Sequence, residues 1–144
     1  MIEGLHHFAV GVPKLDDGIA FYQEALGCEL LWVSRKVVPK ASVDAVIGID
    51  GVIADVAMLR FGAVHLEVWE YRSPAPVDTR SPANGLGYPH IAVSVSDIDA
   101  EHARLSQLGM TFVGPPVDLG SQKAVYGTDP FGNIIELHET VVAH

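Results

Sequence analysis

Apolar and polar residues alternate in two stretches that read almost alike. Residues 5–12, Leu-His-His-Phe-Ala-Val-Gly-Val, place His7, Ala9 and Gly11 on one face of a strand and Phe8, Val10 and Val12 on the other. Residues 89–95, Pro-His-Ile-Ala-Val-Ser-Val, repeat the phrase with His90 at its head. Each strand then gives way to helical spacing. Pro13 ends the first, because it has no N–H to offer a ladder. Leu15, Ile19, Tyr22 and Leu26 follow at intervals of three and four, with Asp16 and Asp17 in the first turn and Gly27 as a stop. In the second copy Ser96 is the predicted N-cap, Asp99 lies in the first turn, and the helix ends at Gly109.

The remaining pattern fills in around these pairs. Glu29–Val38 reads as a strand. Val52–Phe61 and Ala63–Tyr71 read as a hairpin turning at Gly62. Thr111–Val113, Lys123–Thr128 and Ile134–Glu139 complete the later strands, with turn chemistry at residues 129–133, Asp-Pro-Phe-Gly-Asn. Residues 39–51 fit a short helix or a loop equally well. Residues 73–87 hold three prolines and two glycines and form the expected linker between module 1, residues 1–72, and module 2, residues 88–144.

Superposing the modules on their histidines pairs Val12 with Val95, Leu15 with Ile98, Asp16 with Asp99 and Ala20 with Ala103. One deletion then brings Leu26 onto Leu108 and Gly27 onto Gly109. The chain is therefore expected to be a duplicated strand–helix–three-strand unit. His7 lies 60 positions before Glu67, and His90 lies 46 before Glu136. The difference is assigned to an insertion around residues 39–51.

Two imidazoles and two carboxylates at matching points of a repeat are a donor set for one divalent cation, Zn, Ni, Co, Mn or Fe. Taken singly, a strand histidine is more often a hydrogen-bonded structural residue and a strand-end glutamate a solvated one. Their equivalence across the repeat favours a shared site made of His7, Glu67, His90 and Glu136. Four ligands would leave room for water or substrate oxygens on a cation that accepts five or six. His7 is preferred to His6 because it precedes Val12 by five residues, as His90 precedes Val95; His6 is then expected on the opposite face. His65 shares the face of Glu67 and Trp69, and His138 that of Glu136. His102 and His144 are expected to face solvent.

Composition excludes more than it identifies. With 49% hydrophobic and 19% charged residues the chain can build a core. A net charge of −9 with no Lys/Arg cluster argues against nucleic acid. The single Cys28 makes no internal disulfide and reads as a buried small hydrophobe. No secretory signal is evident, and no apolar run approaches the ~18 residues of a membrane span. A cytoplasmic protein acting on a small molecule, with no membrane partner, is the expectation.

With these residues in view, the chain resembles the vicinal oxygen chelate superfamily of glyoxalase, bleomycin-resistance and dioxygenase proteins. The resemblance rests on residues 7–12, Ala20-Phe21-Tyr22 with Leu26-Gly27, Leu66-Glu67-Val68, residues 87–93 and residues 126–137. It spans essentially the whole chain. It implies an α+β fold in which two tandem βαβββ modules make a single glyoxalase-like domain, a curved, incomplete barrel around a metal. It also implies a homodimer. Carried over by position, the ligands are His7, Glu67, His90 and Glu136. Two glutamates resemble the glyoxalase I and methylmalonyl-CoA epimerase branch more than the extradiol dioxygenases, which use two histidines and one glutamate. The implied activity is that of an isomerase, epimerase or lyase abstracting a proton next to a metal-bound carbonyl or vicinal oxygens. Glu136 is the first candidate for the proton shuttle and Glu67 the second. An Fe(II) extradiol-type dioxygenase and a non-catalytic binding or resistance protein are the alternatives. His65, Trp69, Tyr88 and Tyr126 are candidate pocket residues. Arg35, Lys36, Arg60 and Lys123 either meet an anionic substrate or are solvated.

Overall fold

The chain folds as two units, Met1–Asp78 and Thr79–His144, which part inside the proline-rich stretch 73–87. The computed structural model describes residues 1–141, so His144 lies outside the described residues. The first unit runs β1 (His7–Gly11), α1 (Leu15–Leu26), β2 (Glu29–Val37), α2 (Ala41–Ile47), β3 (Ile53–Phe61) and β4 (Val64–Ser73). Its sheet has the order β1-β4-β3-β2, with β1 parallel to β4 and the other pairs antiparallel. The second unit runs β5 (Ile91–Ser94), α3 (Ile98–Gln107), β6 (Thr111–Phe112), β7 (Val117–Asp118), β8 (Gln122–Thr128) and β9 (Ile134–Thr140). Its order is β5-β9-β8-β6, with β7 also on β8 and β5 parallel to β9. Both are α+β units of the expected βαβββ kind, and neither sheet closes into a barrel among the described residues.

Helices α1 and α3 each cover one face of their sheet. Leu15, Ile19, Tyr22 and Ala25 of α1 are buried, as are Leu66 and Val68 of β4. At Gly18 a Cβ would stand 3.0 Å from Val68 and 3.1 Å from Val12, so the close approach of helix to sheet needs a glycine there. Gly27 ends α1 in the left-handed conformation, φ 67°. In the second unit Ile98 and Leu105 of α3 are buried, together with Ile135 and Leu137 of β9.

The last strand of each unit also holds its helix by the N-terminus. The backbone N–H of Leu15 donates to Glu70 (2.8 Å), and that of Ile98 donates to Glu139 (3.0 Å). A carboxylate satisfies an orphan donor there and complements the helix dipole. Glu70 and Glu139 each lie three residues beyond Glu67 and Glu136. Strand side chains alternate, so an odd offset sends the capping carboxylate toward the helix and leaves Glu67 and Glu136 on the opposite face.

Several local expectations change. Asp97, not Ser96, caps α3, its side chain accepting from Ala100 N (3.0 Å). Strand β5 starts only at Ile91, because Pro89 has no donor to extend the ladder. Residues 41–47 are a helix with no buried residue, and Asp44 ties its end to the backbone N–H groups of Gly51 (3.0 Å) and Val52 (3.3 Å). Asp55 is 4% exposed and sits among the Arg72 and Arg35 guanidinium groups and the Lys36 N–H. The hydrogen bond from Arg72 is the main reason its carboxyl lies below the usual range. No helix among the described residues is long and apolar enough to cross a membrane.

Candidate metal centre

In the first unit, the parallel register of β1 on β4 sets His7 opposite His65 and Ala9 opposite Glu67. This brings His7 Nε2 to 3.7 Å from Glu67 Oε2. The same carboxylate oxygen accepts a hydrogen bond from the Trp69 indole N–H at 2.7 Å. Trp69 is itself stacked on Tyr71, with ring centroids 5.0 Å apart and planes 15° from parallel. Glu67, Trp69 and Tyr71 therefore form a ladder at every second residue along one face of β4. Burial, helped by the Glu67 charge, raises the Tyr71 phenol above its ordinary pKa.

The second unit repeats the pair with different support. His90 Nε2 lies 3.1 Å from Glu136 Oε2. Antiparallel pairing sets Tyr126 opposite Glu136, and its hydroxyl lies 3.3 Å from His90 Nε2, with ring centroids 4.7 Å apart. Burial first, then the charge and hydrogen bond of Glu136, push the Tyr126 phenol up, so it stays protonated through neutral pH. His90 Nδ1 is buried and has no hydrogen-bond partner among the described residues.

The other predicted residues fall into place unevenly. His6 is not on the opposite face from His7. It precedes β1, where strand alternation no longer applies, and its Nδ1 lies 2.7 Å from His7 Nδ1. His65 packs its ring on His6 (5.1 Å) and bonds the His6 carbonyl through Nδ1 (3.2 Å). Tyr88 is 104% exposed, in a stretch outside any strand. His102 is half-buried rather than solvent-facing, with its ring on Phe112 (4.4 Å) and Nε2 at 3.1 Å from the Gly114 carbonyl. His138 bonds Gln122 (2.9 Å). Three of the candidate cations are matched locally: Arg35 by Asp16, Arg60 by Glu29, and Lys123 by Asp99 (3.5 Å). Cys28 is buried, and desolvation pushes its thiol up to about 11, which suits a core residue and not a nucleophile.

Each His–Glu pair fits half of a cation site. Metal–ligand bonds of about 2.0–2.2 Å leave neighbouring donor atoms roughly 3–3.5 Å apart, close to the two separations observed. A neutral imidazole and a carboxylate are the right donors for a borderline divalent ion. Within either unit, no third His, Cys, Asp or Glu among the described residues completes a cluster of three able to hold a metal.

The family model described as Glyoxalase/Bleomycin resistance protein/Dioxygenase superfamily matches residues 4–137. The chain belongs to this superfamily. A 2-epi-5-epi-valiolone epimerase from an Actinomyces species is 32% identical over 151 residues, covering 92% of this chain and 77% of the epimerase. A glyoxalase family protein from Bacillus cereus shares 26% identity with a TM-score of 0.87, covering 99% of this chain and 97% of that one. The fosfomycin resistance protein FosX from Listeria monocytogenes, in a complex with Mn(II) and sulfate, shares the fold at 19% identity and a TM-score of 0.68, covering 99% and 96%. Superfamily membership and the epimerase relative together support an enzyme of the isomerase or epimerase type.

Proposed function

We propose that the chain is a metal-dependent epimerase that inverts a stereocentre next to the carbonyl of a small hydroxylated ketone. The observation that carries this reading is the His–Glu pair found twice, at equivalent points of two βαβββ units and on the sheet face away from each helix. The valiolone epimerase at 32% identity supports the reaction type and the substrate class. His7, Glu67, His90 and Glu136 would hold one divalent cation, Zn, Ni, Co, Mn or Fe, with the pairs drawn from one chain or from two copies in a homodimer. When bound, such a cation supplies Lewis acidity that lowers the cost of negative charge on the carbonyl oxygen.

A Glu136 carboxylate oxygen removes the proton from the carbon beside the carbonyl, and that carbon becomes planar. A solvent water gives a proton to the opposite face, and the proton held by Glu136 passes back to solvent, so the inversion is complete with no atom gained or lost overall. The Tyr126 hydroxyl stands beside that carboxylate, opposite Glu136 in register and 3.3 Å from His90 Nε2.

Epimerisation of 2-epi-5-epi-valiolone, followed by proton NMR, tests the proposal. Turnover is expected to disappear after treatment with a chelator and to return with one of the five cations. Full activity in metal-free protein would contradict it.

A further inference from the structure

The two glutamates of the candidate centre are held by chemically different neighbours. Glu67 Oε2, the oxygen facing His7 Nε2, accepts the Trp69 indole N–H at 2.7 Å. An indole N–H donates only; it neither accepts a proton nor gives one up near neutral pH. Its direction is set by stacking on Tyr71 and by the strand, which puts residues 67 and 69 on one face. In the second unit the residue two beyond Glu136 is His138, and it turns to Gln122 instead. Glu136 Oε2 lies 3.1 Å from His90 Nε2, and the residue opposite Glu136 on the neighbouring strand is Tyr126, whose hydroxyl, a group that both donates and accepts, lies 3.3 Å from the same nitrogen.

From this asymmetry we infer that Trp69 is a positioning residue: it fixes Glu67 as a permanent metal ligand and leaves proton transfer to Glu136. The inference rests on the metal-centre reading above and divides the labour within it. A hydrogen bond to a carboxylate oxygen locks the side chain in the orientation that faces His7, and outer partners of this kind typically change metal affinity by 10- to 100-fold. It also occupies a lone pair that a proton would otherwise take, so Glu67 makes a firm ligand and a poor shuttle.

Cobalt(II) titration of the full chain, followed by its visible absorption, tests the assignment on Trp69→Phe and Trp69→Gln. Phenylalanine keeps a ring over Tyr71 and removes the donor. Glutamine loses the ring and restores an N–H four bonds from Cα, the same count as in the indole. Cobalt is expected to bind Trp69→Phe about 10- to 100-fold more weakly than wild type. Trp69→Gln is expected to recover part of that loss even where its melting temperature is the lower of the two. Wild-type affinity in Trp69→Phe, or weaker binding in Trp69→Gln than in Trp69→Phe, would overturn the role, since affinity would then be indifferent to the N–H or would follow packing. Should Trp69→Phe not fold, near-wild-type affinity in Trp69→Gln supports the assignment, and a full 10- to 100-fold loss there overturns it. A wild-type chain that does not bind cobalt at all would overturn the metal centre itself, which separates the two failures.

Discussion

Glu136→Gln is expected to lower kcat by about 10²- to 10⁴-fold, the usual contribution of a positioned general base. The substitution keeps the shape of the side chain and one oxygen that can still ligate, so metal remains bound, though more weakly. Glu67→Gln is the control. It removes a carboxylate from the equivalent point of the repeat, but one already committed to His7 and the Trp69 N–H. Its main effect is expected on metal affinity, with a smaller loss of kcat once metal is saturating. Steady-state rates measured beside metal content for each variant distinguish the two roles. Equal losses of kcat in both variants at full metal occupancy would refute the division between them.

His7→Ala and His90→Ala are each expected to weaken metal binding by more than the 10- to 100-fold that follows loss of an outer partner. Each removes a direct donor and leaves its glutamate facing an empty position. Wild-type protein should carry one divalent ion per chain, and both variants should carry almost none by elemental analysis. A thermal reading supports the count. A ligand present at about 1,000 times its Kd stabilises the folded state by roughly 4 kcal/mol. Added metal should therefore raise the wild-type melting temperature and leave both variants unmoved. A wild-type metal content in His90→Ala would remove that residue from the site.

Much of the fold is legible in the hydrophobic pattern because each unit has one buried and one open sheet face. Leu66 and Val68 alternate with Glu67 and Trp69, and Leu137 alternates with Glu136 and His138, so strand identity and facing follow directly from period two. The helix at Leu15–Leu26 and its stop at Gly27 follow from spacing and from the left-handed backbone that glycine tolerates. What the pattern misses depends on where elements begin. Alternation places His6 opposite His7 only if the strand extends back past His7; β1 starts at His7, and the two imidazoles meet instead. Tyr88 sits in the same way before β5, fully exposed. The two-residue β7 is too short to show a period at all. The helix-holding carboxylates Glu70 and Glu139 were within reach of the repeat, since both lie three places past a candidate ligand. Their role emerges only when strand parity is set against the helix N-termini. Trp69 was readable as an aromatic beside Glu67, whereas its hydrogen bond depends on a ring orientation set by Tyr71, which no spacing encodes.

Proton abstraction next to a carbonyl, at a metal centre built from two His–Glu pairs, leaves an isotopic mark on the product. The most direct measurement is proton NMR of 2-epi-5-epi-valiolone incubated with metal-loaded protein in D₂O. Deuterium is expected at the inverted carbon, because the proton delivered to its opposite face comes from solvent, and that signal is expected to be lost with chelator and in Glu136→Gln. Inversion at that carbon with the original hydrogen retained throughout, or deuterium uptake undiminished in Glu136→Gln, would contradict it.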